Sequence, residues 1–101
     1  MSINAKQREK TARELQELCN NLTVSPAWIT RKLGYANEQY LHEVLAIAPG
    51  VDPAEVWRVR DFLCAVAAKE GVRVPRFSVL KSSMRSTAKM WFGNWEVPAV
   101  D

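Results

Sequence analysis

Apolar residues recur along this chain at spacings of three and four, so the pattern is helical almost from end to end. From about Asn4 to Leu22, Ala12, Leu15, Leu18, Cys19 and Leu22 fall on one face and the opposite face is charged; Asn4 with Gln7 three residues later has the form of a capping box. In "VSPAWITRKLGY", Ser25 can cap a helix whose first position is Pro26, where a missing amide proton costs nothing. Gly34 can supply the positive-φ residue that ends this helix after two turns, with Trp28, Ile29 and Leu33 as its apolar face. A third helix is predicted from near Asn37 to Ile47, where "APG" breaks the pattern, with Tyr40, Leu41, Val44, Leu45 and Ala48 as its stripe. "DPAE" opens a fourth, placing Asp52 at the cap, Pro53 at the first position and Glu55 three beyond the cap. Val56, Val59, Leu63, Val66 and Ala67 mark its buried side and Gly71 its end. "VRVPRF" contains Pro75 and reads as an extended connector. Phe77 to Phe92 reads as the last helix, with Leu80, Met84, Ala88 and Trp91 on one face. The tail from about residue 93 reads as irregular, with Trp95 able to fold back onto the core.

These elements predict a single all-α domain over residues 1–101, a bundle of about five helices that needs no sheet. Hydrophobic residues at 48% and charged residues at 25% supply a packed core without staples. The first twenty residues hold four basic and three acidic side chains and no apolar run, which fits neither a secretion signal nor a membrane span. A cytoplasmic location is therefore expected, with Cys19 and Cys64 as reduced, small core residues.

Charge changes the picture through its distribution. Residues 1–36 hold six basic and three acidic groups, residues 37–70 three and six, and residues 71–101 five and two, giving +3, −3 and +3 within a net charge of +3. The third helix begins the acidic portion.

Two helices joined at Gly34, preceded by one helix and followed by two, resemble the lambda-repressor-like helix-turn-helix fold. The whole chain is similar to a family of small bacterial proteins of unknown function with such a fold, through "QREKTARELQE", "LGY", "DPAEVWRVRDFL", "VPRFSVL" and "WFG", over roughly residues 4 to 93. The resemblance implies a helix-turn-helix core and brings no established activity. Ile29, Leu33 and Gly34 match the general pattern, whereas counting on from the glycine puts Glu43 at a usually buried position, where an unpaired carboxylate is costly. A turn longer by one residue buries Leu41 and Val44 instead, and leaves Asn37, Glu38, Gln39, His42 and Glu43 outward.

That outward set bears on DNA reading. Asn37 and Gln39 can make paired hydrogen bonds to adenine, His42 also faces the bases, and Glu38 or Glu43 can accept from cytosine, although two carboxylates near phosphates oppose binding. Phosphate contacts are expected from Arg31 and Lys32 at the end of the second helix and from Lys81, Arg85 and Lys89, spaced four apart on the last. Catalysis finds little support: His42 is the single histidine, no metal-ligand spacing involves it, and no glycine-rich phosphate loop is present. The chain is expected to be no enzyme and to use no cofactor, metal or membrane. The leading expectation is a helix-turn-helix protein that binds double-stranded DNA as a homodimer and regulates transcription. The alternative is an interaction or dimerisation module that kept the fold without DNA binding, with Tyr40, Leu41, Trp91 and Trp95 as its partner surface.

Overall fold

Five helices follow one another in the computed structural model: α1 (Ala5–Asn21), α2 (Pro26–Leu33), α3 (Glu38–Leu45), α4 (Pro53–Glu70) and α5 (Arg85–Phe92). The structure describes residues 5–74, 77, 84–92, 95–98 and 100, the side chains of residues 85, 86, 91 and 92 excepted. Among the described residues there is no strand, and no helix is long and apolar enough to cross a membrane.

The helix ends follow from local chemistry. Ser25 sits in extended backbone and its hydroxyl accepts from the Trp28 amide at 3.1 Å, so α2 starts at Pro26. At the other end Gly34 takes φ +76°; its N–H reaches the Arg31 carbonyl, and the Tyr35 N–H reaches that of Thr30 at 3.0 Å. This pair of reversed bonds satisfies carbonyls that the last turn leaves open. α3 starts at Glu38, as expected near Asn37, which caps it: the Asn37 backbone is extended and its Oδ1 accepts from the Tyr40 amide at 3.0 Å. α3 does not reach Ile47. It stops at Leu45, and Ile47 takes φ +52°, closing the helix with bonds from Ile47 N–H to Val44 and from Ala48 N–H to Glu43. A β-branched residue in that region carries strain of about 1–2 kcal/mol. Packing of the half-buried Ile47 side chain against the core offsets it.

Asp52 caps α4 as the sequence predicts, its Oδ1 accepting from the Ala54 amide at 2.9 Å. Glu55 does not close the capping box; its carboxylate turns away to Tyr35 and Arg58. Nine of the 18 residues of α4 are buried, and they lie all round the helix, which makes it the centre of the domain. It contacts α1, α3 and α5, and α3 contacts α1 and α2 as well. On α1 the buried stripe is Thr11, Leu15, Leu18 and Cys19, with Ala12 only half-buried. Cys19 and Cys64 are thiols, not a disulfide. The proposed capping box at Asn4 lies outside the described residues.

The last helix is shorter at its start than predicted. Phe77 is not helical; its ring turns inward, 5% exposed, against the Arg60 guanidinium at 5.0 Å, and α5 begins at Arg85 after a tight turn at Met84. Leu80 lies outside the described residues. Trp95 does fold back from an irregular tail, stacking on Trp57 at 5.7 Å.

A pH-sensitive tie joins the α1–α2 connector to the end of α4. The backbone N–H and hydroxyl of Thr23 donate to the two carboxylate oxygens of Glu70, at 2.9 and 2.6 Å. Both bonds favour the charged form and hold the Glu70 carboxyl below the usual glutamate range. A lowered folded value means stabilisation that is complete above the ordinary glutamate pKa of about 4.3 and is lost as pH falls through the lower folded value. The stability difference between the native chain and Glu70→Gln, measured by urea denaturation across pH, is therefore expected to be constant near neutrality and to shrink in acid.

Candidate functional site

The turn between α2 and α3 is held by side chains from elsewhere in the chain. Arg58, on α4, donates from Nη2 to the Leu33 carbonyl at 2.8 Å and from Nη1 to Glu55 Oε1 at 3.0 Å. The same Glu55 oxygen accepts the Tyr35 hydroxyl at 2.7 Å. Burial, reinforced by this bond to a carboxylate, pushes the Tyr35 hydroxyl well above the ordinary tyrosine range, so it stays a donor. The Tyr35 ring meets Tyr40 edge to face at 4.7 Å, which carries the restraint into α3. In the sequence Glu55 reads as part of the cap with Asp52, and neither Arg58 nor Tyr35 is marked there as its partner.

Fixed in this way, α3 turns Leu41, Val44 and Leu45 into the core and leaves Glu38, Gln39 and His42 exposed, with Glu43 half-buried. This is the register of the longer turn, which spares Glu43 the cost of full burial. Gln39 and His42 are thus exposed on the outer face of α3, and Asn37 is exposed at its start, with its carbonyl oxygen accepting the cap bond from the Tyr40 amide. His42 also borders a cleft of about 220 Å³ beside Gln16 and Asn20 of α1. Gln16 donates to Asn20 at 2.9 Å, so two further amide side chains, unmarked by the sequence pattern, lie near the outer face of α3.

The cations behave differently from one another. Arg31 is exposed at the end of α2, while Lys32 is half-buried with its ammonium 5.6 Å from the centre of the Trp28 ring. Lys89 is drawn over the Trp95 ring at 5.1 Å, so its charge faces the domain's own aromatic end. Lys81 lies outside the described residues, and Arg85 is described only as backbone of α5. The basic stripe on the last helix is therefore represented by Lys89 alone.

Among the residues suggested for a partner surface, Leu41 is fully buried and Trp95 is 9% exposed. Both belong to the core, because α3 rotates its apolar stripe inward and the Trp95 indole docks between Trp57 and Asp61. Tyr40 is half-buried, and the Trp91 side chain lies outside what the structure describes. Among the described residues, the large apolar side chains that face solvent are Met90, at 81% exposure, and Val97, at 39%.

Burial pushes the Cys19 thiol above its ordinary range and keeps it protonated. Among the described residues no group of three or more histidine, cysteine or carboxylate side chains is placed to hold a metal ion.

Comparison with curated proteins found no match, and comparison with solved structures found none. A family model does match, over residues 1–94, and covers the five helices together with the turn and the Arg58 tie just described. The chain belongs to the family described as uncharacterized protein conserved in bacteria (DUF2316).

Proposed function

We propose that α2 and α3 form a helix-turn-helix unit of the lambda-repressor type that docks on double-stranded DNA, with α3 presented to the major groove. The observation that carries this reading is the division of α3 into a fully buried stripe and an outward face bearing Gln39 and His42, on a turn braced by Tyr35, Glu55 and Arg58. A rigid, outward polar helix is what groove reading requires, because base contacts demand a fixed register. Gln39 can bond adenine through both amide atoms, His42 donates to an acceptor edge, and Arg31 reaches a phosphate. Binding of this kind in a cytoplasmic dimer suits a regulator of transcription.

Fluorescence anisotropy of a labelled pool of duplex, titrated at low and near-physiological salt, tests the proposal. Saturable binding that weakens steeply with salt is expected. Arg31→Gln is expected to weaken binding to all sequences alike and to reduce the salt slope by about one unit. Gln39→Ala is expected to relax sequence preference, with about 1–3 kcal/mol of discrimination lost at one base pair. Absence of binding at low salt overturns the reading.

One observation favours a second reading, an interaction module. Met90 and Val97 expose apolar surface while Glu38 and Glu43 lend α3 negative charge. Under that reading Met90→Lys weakens self-association in sedimentation and leaves helical content intact.

A further inference from the structure

We propose that residues 95–98 of the tail form a strap that sets the rigidity of the α2–α3 turn through Arg58. The Arg58 guanidinium donates in three directions: from Nε to the Glu96 carbonyl at 2.8 Å, from Nη1 to Glu55 and from Nη2 to the Leu33 carbonyl that ends α2. One planar group thus joins the tail, the central helix and the turn. A guanidinium holds a rigid fork of donors, so withdrawing one acceptor changes the orientation in which the others are met. Tyr35 lies in the same cluster, its ring 5.9 Å from the guanidinium carbon and its hydroxyl on the Glu55 oxygen that Arg58 also uses.

The strap is anchored at Trp95, whose Nε1–H donates to Asp61 Oδ2 at 2.9 Å and whose ring stacks on Trp57. Beyond this anchor Glu96 and Val97 are exposed, and Val100, half-buried, packs against the core as a second, weaker attachment. Segments tied down by few contacts open locally at a small fraction of the cost of global unfolding. Arg58 retains 21% side-chain exposure, so water can replace the Glu96 carbonyl when the strap leaves. That partial exposure makes release reversible: a fully buried guanidinium deprived of an acceptor would resist it strongly. Two states follow. With the strap docked, Arg58 clamps the Leu33 carbonyl and Glu55, and the turn is stiff; with the strap released, Arg58 reorients toward solvent and the turn loosens. Any partner that grips the strap would thereby act on α3 without touching it. The coupling is a property of the fold and holds whatever α3 recognises.

Native-state hydrogen exchange tests it on the full chain, with the Tyr35 amide, bonded to the Thr30 carbonyl, as reporter and the Leu15 amide in α1 as the reference for global stability. Trp95→Phe keeps a ring and removes the bond to Asp61; Trp95→Leu removes the stack as well. Because Trp95 belongs to the core, Leu15 reads whatever global stability these variants lose; exchange at Tyr35 is expected to accelerate about fivefold or more beyond the change at Leu15, the range of an ordinary coupling between sites. In an Arg58→Met background the same Trp95 substitutions are expected to add nothing at Tyr35 beyond the change at Leu15. Unchanged Tyr35 exchange in both variants overturns the proposal. So does an acceleration shared equally by Leu15, or one that persists in the Arg58→Met background.

Discussion

Phe62→Ala is expected to destabilise the domain by about 3–5 kcal/mol, the range for truncating a fully buried aromatic ring. Phe62 has no exposed surface, and its ring stacks on Trp28 at 5.8 Å with planes 28° apart, so it joins α4 to α2 as well as filling volume. The void it leaves cannot easily close. Gly34 and Ser25 terminate α2 at defined residues, and α4 is clamped by neighbours all round, so neither helix can slide inward without breaking caps. In a domain of this size each kcal/mol shifts the melting midpoint by about 4–8 °C, giving an expected drop of about 12–40 °C by circular dichroism. Since whole domains are stable by only about 5–15 kcal/mol, a substantial unfolded fraction at moderate temperature is expected. A loss below about 1 kcal/mol would mean that Trp28 moves into the vacated space.

Asp61→Ala is expected to cost about as much, 3–5 kcal/mol, for an electrostatic reason. Arg60 donates to Asp61 Oδ1 at 2.8 Å with 6% and 11% side-chain exposure respectively, and the guanidinium is wedged between Trp57 at 5.6 Å and Phe77 at 5.0 Å. Ring faces on both sides favour the cation and keep it from turning out to water. Deleting the carboxylate removes the 2.8 Å acceptor from that charge and releases the Trp95 indole as well. The double variant Arg60→Met, Asp61→Leu is expected to recover most of the loss, because well-packed apolar residues often replace a buried ion pair without penalty. Urea denaturation of the single and double variants distinguishes the two outcomes; equal losses would show that packing of Trp95 and Phe77, rather than charge, is at stake. By contrast the Glu9–Arg13 pair on α1 is about three-quarters exposed on both sides and contributes little.

The ion pairs differ in how far local spacing explains them. Glu9–Arg13 and Glu55–Arg58 lie four and three apart on helices, spacings that bring two side chains onto one face. Arg60 and Asp61 are adjacent, a spacing that ordinarily points two side chains apart, and they meet because Trp57, Phe77 and Trp95 enclose both. For the same reason "VWRVRD" gives no hint that its second arginine is interior while its first braces a distant turn. Helix starts at Pro26 and Pro53 and ends at Gly34 and Gly71 were legible because caps are short-range chemistry: a hydroxyl or carboxylate three residues or fewer from the amide it satisfies, and a residue without a β-carbon where φ must be positive. The end of α3 was not, because Ile47 takes the position that glycine ordinarily fills and tertiary packing supports the strain.

The candidate site divides along the same line. Gln39 and His42 could be placed outward from the periodicity of α3, while the cap formed by Asn37 was not read from the sequence, because a short amide side chain suits either task. Leu41 and Trp95 were visible as large apolar groups, but whether such groups form core or interface depends on what faces them, and here the chain itself faces them. Local order therefore determined the five helices, most of their boundaries and the apolar stripes, because the relevant interactions span four residues or fewer. Tertiary structure alone decided that α3 is braced through Tyr35, Glu55 and Arg58, that Arg60 and Asp61 are interior, and that the tail returns to α4. Those contacts join residues about 20 to 40 positions apart, brought together only when burial of the common core folds the helices onto one another.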